Sequence, residues 1–255
     1  MKFSVLGSGS QGNSVYIESG KTGILIDAGF SGKEIETRLK SIGRDLSNVR
    51  AQCVTHEHND HIRGVGVISR RCKIPAYLNG GTHFAGEKRM GRLFLLKEFE
   101  TGDLLEIGDL QVRSFQVSHD TADPVGYVVS DGKTSLGYCT DTGKISHLIA
   151  RRLARCNGLV LEFNHNLQML KNGPYPLPLQ QRVRSSRGHL CNEDAATLLA
   201  GLIGDHLRMV VLAHLSETNN TPALARKAAD LSVREWGDTV LLVAPQDQAT
   251  MLQEI

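Results

Sequence analysis

Residues 54–61 read Val-Thr-His-Glu-His-Asn-Asp-His, which places four potential metal ligands within six positions at the end of an apolar run. On a helix, the side chains of His56 and His58 would point about 200° apart. At the end of a strand or in a loop, both imidazoles can instead turn toward one metal ion, while Asp60 and His61 face a second ion. The stretch therefore predicts a sheet-edge loop that holds two metal ions, as in a hydrolase.

Length and composition are typical of one layered α/β domain, which we expect to span residues 1–255. The 29 Lys and Arg residues and 27 Asp and Glu residues leave a net charge of +2, which does not by itself indicate a nucleic-acid-binding protein. The five cysteines form no Cys-x-x-Cys pair and fit reduced thiols. The first residues lack the apolar core of a signal peptide, and no apolar run approaches the ~20 residues of a membrane span. We therefore expect a cytoplasmic protein with no membrane association.

Alternating and apolar runs predict strands, and three- to four-residue apolar spacing predicts helices. The predicted strands are residues 3–6, 14–18, 23–27, 52–55, 74–77, 92–97, 110–117, 125–130, 134–139, 159–163, 208–213 and 239–243. The predicted helices are residues 33–42, 64–72, 144–155, 193–206 and 222–235, with Asn192 and Thr221 as caps of the last two. Prolines interrupt both periods in residues 164–190, which we expect to form a long functional loop. This schedule predicts two packed β-sheets flanked by helices, an α/β (α+β) arrangement with the ligands on loops at one sheet edge.

Three further ligand-type residues each follow a predicted strand: His119, Asp141 and His214. Strand ends converge at one edge of a sheet, so we expect these side chains to meet the His-rich loop. The predicted ligands are His56, His58 and His119 for one ion and Asp60, His61 and His214 for the other, with one oxygen of Asp141 toward each.

The predicted ligands are five imidazoles and two carboxylates, without a thiolate. This set suits two divalent metal ions, either Zn²⁺ or Mn²⁺, with Fe²⁺ also possible. A hydroxide can bridge two such ions, and the ions can stabilise both the attacking and the leaving oxygen in a hydrolysis reaction.

Asp27 ends an apolar strand, where a buried carboxylate must be hydrogen-bonded to be tolerated. Metal-ligating histidines usually donate their other ring N–H to such a group. We therefore predict that Asp27 orients one of the histidine ligands from behind.

The ordered motifs Asp27, His56-x-His58-x-Asp60-His61, His119, Asp141 and His214 resemble those of the metallo-β-lactamase superfamily. The resemblance covers nearly the whole chain. It implies a four-layer αββα sandwich of two mixed β-sheets flanked by helices, with a dinuclear metal site.

A closer resemblance is to the YycJ/WalJ-like branch, which is related to RNase Z and to the phosphonate-pathway phosphodiesterase. It rests on Leu6-Gly-Ser-Gly-Ser-Gln-Gly-Asn13, Tyr138-Cys-Thr-Asp-Thr-Gly143, Leu161-Glu-Phe-Asn-His165, Gly188-His-Leu-Cys-Asn-Glu-Asp194 and Leu212-Ala-His-Leu-Ser-Glu-Thr-Asn-Asn220. The branch resemblance implies a nuclease that acts on DNA. Two residues differ from the expected pattern: Asn166, where Asp is expected, and Cys191, where Ser is expected.

Two further histidines occupy positions suited to proton transfer. His165 follows a predicted strand and His189 precedes a helix, and the imidazole pKa lies near working pH. We predict that the catalytic residues are Asp60, His165 and His189.

Polar and basic side chains are candidates for substrate contact. The loop at residues 7–13 offers Ser8, Ser10 and Asn13 for contact with a phosphate group. The alternative is a hairpin turn with only incidental substrate contact. A basic group in the irregular segment before His189 contains Arg184 and Arg187, which can follow a phosphate backbone. Tyr175 in the same segment can stack on a base.

The leading functional hypothesis is a metal-dependent phosphodiester hydrolase, with DNA favoured as the nucleic acid and exonuclease as the activity. A small-molecule phosphodiesterase or a glyoxalase II-like thioesterase is the enzymatic alternative. A nucleic-acid-binding scaffold without catalysis is the third reading, and the complete set of seven ligands argues against it.

Overall fold

A computed structural model describes residues 1–233 and 239–255 of the chain. The first sheet contains β1 (Lys2–Gly7), β2 (Ser14–Ser19), β3 (Thr22–Ile26), β4 (Val49–Cys53), β5 (Pro75–Asn79), β6 (Leu95–Phe99) and the C-terminal β14 (Gln253–Glu254). Their order is β14-β1-β2-β3-β4-β5-β6. The pairs from β14 to β3 are antiparallel and those from β3 to β6 are parallel, so the sheet is mixed.

The second sheet contains β7 (Leu104–Ile107), β8 (Leu110–Gln116), β9 (Val125–Ser130), β10 (Ser135–Cys139), β11 (Gly158–Glu162), β12 (Met209–Ala213) and β13 (Val240–Val243). Their order is β13-β12-β11-β10-β9-β8-β7. The pairs from β10 to β13 are parallel and the others are antiparallel. Because the parallel strands all point the same way, their carboxyl ends meet at one edge, where ligands gather in folds of this kind.

The central core lies between the two sheets. Phe3 and Val5 of β1 and Val112 and Tyr127 of the second sheet belong to this buried layer. Alternation along a strand sends the neighbouring residues to the opposite face, as for Leu6, which follows Val5 and packs in the outer layer under the helices.

Helices cover the outer face of each sheet. On the first sheet lie α1 (Gly32–Ser41), α3 (Val65–Cys72) and α4 (Gly80–Met90), and on the second lie α5 (His147–Leu153), α8 (Asn192–Leu202) and α9 (Pro222–Val233). The remaining helices are short: α2 (Asn59–Ile62), α6 (Leu167–Asn172) and α7 (Leu177–Val183). The predicted αββα sandwich of two mixed sheets is confirmed.

Helix α4 was not expected from the sequence because it has no apolar stripe. Its buried face is formed by Thr82, Gly86 and Met90, which are spaced four residues apart. The Asn79 side chain caps the helix by accepting from the Thr82 N–H at 2.8 Å. Gly86 allows a close approach to Ile62 of α2 and to Glu57 of the His-rich loop. A hydrophobicity pattern does not detect small residues in this role.

The expectation that residues 164–190 form a long loop without regular structure is wrong. They contain α6 and α7, and α7 begins directly after Pro176. Proline is tolerated in the first turn of a helix because its missing N–H has no intrahelical partner there. Pro176 is the residue before α7 and Pro178 lies in its first turn, so two of the prolines that interrupted the pattern mark the start of a helix.

The cap predicted at Asn192 is also wrong. The Sγ atom of Cys191 accepts from the Asp194 N–H at 3.4 Å, and Asn192 is the first residue of α8. Helix α8 ends at Leu202 rather than residue 206, because Ile203 is extended with a ψ of 140°. The two departures from the branch pattern both act as caps, since the Asn166 side chain accepts from two backbone N–H groups of α6.

Thr221 caps α9 as expected, since its Oγ1 accepts from the Leu224 N–H at 3.2 Å. The predicted helix 222–235 is observed as far as Val233, and its last two residues lie outside the described part. Among the described residues, no helix is both long and apolar enough to cross a membrane.

Candidate metal centre

The His-rich loop after β4 brings three imidazoles together. The Nε2 atom of His56 lies 3.2 Å from Nδ1 of His58, and this Nδ1 lies 3.3 Å from Nε2 of His119. His119 follows β8 of the other sheet, so this first cluster of His56, His58 and His119 joins the two sheets. One ligand atom of each residue lies within 4.8 Å of the others, a spacing at which they can share one metal ion.

Asp60, His61 and His214 form a second cluster. The Oδ2 atom of Asp60 lies 3.6 Å from Nε2 of His61 and 3.8 Å from Nε2 of His214. Asp141 reaches this cluster, because its Oδ2 lies 3.4 Å from Nε2 of His61 and its Oδ1 lies 3.4 Å from Nε2 of His214. The same Oδ1 lies 3.9 Å from Nε2 of His119 in the first cluster. The structure thus brings all seven predicted ligands together, with Asp141 between the two clusters.

Backbone strain is concentrated at this edge of the sheets. In the described chain, four residues other than glycine have a positive φ, and three of them belong to the site: Asp27 at 58°, Asp141 at 55° and His214 at 55°. Such a conformation costs about 1–3 kcal/mol and persists where the surrounding structure enforces it. Asp27 and His214 directly follow their strands and Asp141 follows its strand after one residue, so each strained turn lies where a strand ends at the site.

Asp27 lies behind the second cluster and is fully buried. Its Oδ2 accepts from Nδ1 of His61 at 2.8 Å and from the Thr55 hydroxyl at 2.8 Å, and its Oδ1 accepts from the Thr55 N–H at 2.8 Å. The bond from Nδ1 leaves Nε2 of His61 free to face the cluster. This is the orienting contact that the sequence predicted for Asp27.

Glu162 is a site residue that sequence reasoning missed. It is fully buried at the end of β11, and its Oε1 lies 2.8 Å from Nδ1 of His189 and 3.1 Å from Nδ1 of His214. Its Oε2 accepts from the backbone N–H groups of Thr142 and Leu190. The signal was present, since Glu162 is a carboxylate in an otherwise apolar strand, as Asp27 is at the end of another.

Glu162 is ionised in this setting. Burial alone would raise the pKa of Glu162, but His189 and His214 outweigh that effect and hold the pKa well below its usual range. The carboxylate therefore accepts from both Nδ1 atoms. This fixes the tautomers so that both Nε2 atoms remain available on the side of the clusters.

The residues of the two clusters fit a divalent metal ion. In the described part of the chain, Oδ2 of Asp141 and Nε2 of His214 are buried without a hydrogen-bond partner, which is rare for such atoms. Burial would lower the pKa of His214, but the carboxylates of Asp141, Asp60 and Glu162 raise it well above its ordinary value. The carboxylates give the site an excess of negative charge. Together with the imidazole nitrogens, their oxygens are suitable ligands for a divalent cation.

The two predicted proton-transfer histidines differ in their surroundings. His189 is half-buried beside the second cluster, with its Nδ1 3.8 Å from Oδ1 of Asp141. His165 is buried, its Nδ1 lies 3.3 Å from Oδ1 of Asn164, and burial lowers its pKa to about 4. A cavity of about 200 Å³ beside the second cluster is lined by His189 and His214 but not by His165.

The loop between β1 and β2 packs under the second cluster. The Ser8 hydroxyl accepts from the His214 N–H at 2.9 Å and donates to Oδ1 of Asn13 at 3.0 Å. Nδ2 of Asn13 lies 3.1 Å from Nε2 of His61. Ser8 and Asn13 are thus buried supports of the metal ligands, whereas Ser10 is exposed and lines the cavity.

Basic side chains of α7 and the following turn contact the loop that carries His119. The Arg187 side chain donates to the His119 carbonyl at 3.1 Å, while Arg184 is exposed. Arg182 donates to Oδ2 of Asp120 at 2.6 Å, and Oδ1 of Asp120 lies 3.5 Å from Nε2 of His119. Asp120 and Arg182 were not predicted, because their pairing connects residues that are distant in sequence.

Comparison with known proteins agrees with this geometry. The model of the Metallo-beta-lactamase superfamily matches residues 7–189. The chain belongs to the metallo-β-lactamase superfamily. With its clusters of metal-binding side chains, this member of the superfamily is a metal-dependent hydrolase.

Two similar proteins align with nearly the whole chain. Exodeoxyribonuclease YycJ of Bacillus anthracis is 40% identical over 239 residues, covering 93% of this chain and 90% of that protein. Exodeoxyribonuclease WalJ of Streptococcus pneumoniae is 38% identical over 265 aligned positions, covering 100% of this chain and 98% of that protein. The resemblance to the YycJ/WalJ-like branch is confirmed. The crystal structure of the metallo-β-lactamase fold protein YhfI from Bacillus subtilis superposes with a TM-score of 0.75 at 15% identity, covering 98% of each chain, and supports the fold.

The metal-free protein should lose stability as the pH rises from about 6.5 to about 9. Burial would lower the pKa of His61, but the carboxylates of Asp141, Asp27 and Asp60 raise it to about 9. The ordinary pKa is about 6.5. The protonated His61 therefore stabilises the folded state. This contribution to the free energy of unfolding is fully present below about pH 6.5 and is lost as the pH rises through about 9. Thermal unfolding of chelator-treated protein across this range measures the effect.

Added Mn²⁺ should reverse that trend, because metal binding requires unprotonated imidazole and becomes stronger as the pH rises. Replacement of the exposed His147 by Gln is the control and should leave both trends in place. A melting temperature of the metal-free protein that stays constant or rises over this interval would contradict the assignment.

Proposed function

We propose that this chain is a metal-dependent exodeoxyribonuclease. The observation that carries the proposal is the match, over nearly the full length, to relatives named as exodeoxyribonucleases, combined with the two ligand clusters. A DNA substrate also fits the cytoplasmic location and the single catalytic domain expected from the sequence.

Each cluster would hold one divalent ion, Zn²⁺ or Mn²⁺ with Fe²⁺ also suitable, and Asp141 would contribute an oxygen to each. When bound, the pair of ions lowers the pKa of water and neutralises the charge of a phosphodiester. Imidazole and carboxylate ligands suit all three metals, so availability would decide among them.

His189 is proposed to donate a proton to the leaving oxygen. Its Nδ1 is bonded to the buried Glu162 carboxylate, which leaves Nε2 free to carry the transferred proton. The position of His189 on the cavity wall is what favours it over His165. Asp60 is proposed to act as a ligand and to keep His214 oriented, since its Oδ2 lies 3.8 Å from Nε2 of that imidazole.

Arginines at the border of the site are proposed to bind the DNA backbone. Arg182 and Arg184 lie on and after α7, and both side chains are exposed. Arg187 holds the His119 loop and supplies positive charge beside it. Guanidinium groups pair with phosphate in a bidentate manner, so this edge suits a nucleic-acid strand.

The test is degradation of a linear duplex labelled internally with fluorophore, incubated with purified protein and Mn²⁺, Zn²⁺ or Fe²⁺. We expect progressive release of labelled mononucleotides, and none after treatment with EDTA. Covalently closed circular DNA should remain intact because it has no ends, and a linear RNA duplex of the same sequence tests the choice of nucleic acid. Absence of DNA degradation with all three metals, or cutting of the closed circle, would refute the proposal.

A further inference from the structure

The cavity beside the second cluster is bordered by an amide without hydrogen-bond partners. Asn219 is 1% exposed and lines the cavity, and within residues 1–233 and 239–255 neither its Oδ1 nor its Nδ2 has a partner. Its backbone is fixed, because its N–H donates to the Ser216 hydroxyl at 3.1 Å and its carbonyl accepts from the Asn166 N–H at 2.9 Å. Buried polar atoms are nearly always paired, so this side chain indicates a ligand with both a donor and an acceptor.

Neighbouring asparagines have structural partners instead. The Asn220 amide donates to the carbonyls of Phe163 and Asn164, and its Oδ1 accepts from Nδ2 of Asn192. The Asn164 amide donates to the His214 carbonyl at 2.9 Å. Neighbouring asparagines therefore have hydrogen-bond partners, and the side chain of Asn219 differs from them in having none among the described residues.

The cavity combines polar side chains with an aromatic and apolar wall that suits a flat ring. Tyr175, Leu179 and Leu215 line the cavity together with Asn219, next to His189 and His214. Its volume of about 200 Å³ is smaller than the roughly 300–1,000 Å³ of sites for drug-sized ligands. A nucleobase has the required features, since it stacks on aromatic rings and carries donors and acceptors on its edge. An asparagine amide can bond such an edge through both of its atoms.

We propose that this cavity binds the base of the nucleotide next to the scissile phosphate. Asn219 bonds the edge of the base and Tyr175 stacks on its face. His189 and His214 line the same cavity, which places this nucleotide beside the reacting phosphate. That placement rests on the proposed nuclease function. A base in this cavity must leave the duplex stack, which costs least where the base is not firmly paired, as at a strand end. The site thereby favours the terminal nucleotide.

The test compares ligands with and without a base by calorimetry on the Mn²⁺-loaded protein. dTMP and dAMP should bind at least about tenfold more tightly than deoxyribose 5-phosphate, since stacking and edge contacts require the base. Asn219→Leu and Tyr175→Ala should each remove most of this difference and leave the affinity for deoxyribose 5-phosphate unchanged. Asn172→Leu, an exposed asparagine at the end of α6, is the matched control and should keep the difference.

Equal affinity of the protein for the nucleotides and for deoxyribose 5-phosphate would overturn the inference. So would an unchanged difference in both cavity variants. Thermal unfolding checks that the variants fold, and Tyr175 provides a variant in a half-buried surface segment. The binding measurement does not depend on turnover. Base-dependent binding without DNA degradation would therefore support the cavity assignment while refuting the proposed nuclease function.

Discussion

Replacement of Asp141 by alanine should reduce DNA degradation by at least about 10³-fold, and replacement of His58 should have a similar effect. Loss of a group that hydrogen-bonds a metal ligand typically lowers metal affinity or activity by about 10- to 100-fold, and loss of the ligand itself should lower them more. Asp141 is the carboxylate between the two clusters, and its removal would separate the two halves of the site. Initial rates on the linear duplex at saturating Mn²⁺ measure the effect.

Folding of these two variants must be checked separately, because Asp141 is buried. His58 is half-buried at the rim, with about 30% of its side chain exposed, so its replacement should preserve the fold. Asp205→Ala and His147→Ala change the same residue types at exposed positions and should keep full activity. Persistence of activity in both Asp141→Ala and His58→Ala would refute a metal-centred mechanism.

Glu162→Gln should weaken metal binding by about 10- to 100-fold and lower kcat by at least as much. The carboxylate accepts two imidazole N–H groups on one oxygen and two backbone N–H groups on the other. A glutamine has one oxygen, so its NH₂ group must face one pair of donors. The imidazoles of His189 and His214 can relieve this conflict by changing tautomer, which places a hydrogen on Nε2 and blocks metal binding at His214.

Metal titration of chelator-treated protein by calorimetry separates this effect from chemistry. Glu193→Gln, at an exposed position in the first turn of α8, is the matched control and should bind metal as the unmodified protein does. A Glu162→Gln protein with unchanged metal affinity and kcat would show that the carboxylate only stabilises the fold.

Several features of the fold followed from local patterns in the sequence. The strands that precede Asp27, Asp141 and His214 are short apolar runs followed within two residues by a ligand-type side chain, so pattern and chemistry indicate nearly the same boundary. The cap at Thr221 could be predicted because its hydrogen bond joins residues only three positions apart in the sequence, Thr221 and Leu224. Helix α4 escaped detection because glycine and threonine form its buried face, and proline in α7 marks a helix start as well as a break.

The sequence by itself predicted the seven candidate metal ligands that the fold brings together, since the His-x-His-x-Asp-His spacing and the strand ends are local properties of the chain. Period-two alternation indicated many of the strands, while the αββα architecture followed from the resemblance of the ordered motifs to the metallo-β-lactamase superfamily. Only the tertiary structure decided that Glu162 joins His189 to His214, that Asp120 pairs with Arg182, and that Asn219 borders a cavity. These contacts connect residues on different strands and loops, and they depend on how the sheet edges and helices pack, which no local period encodes.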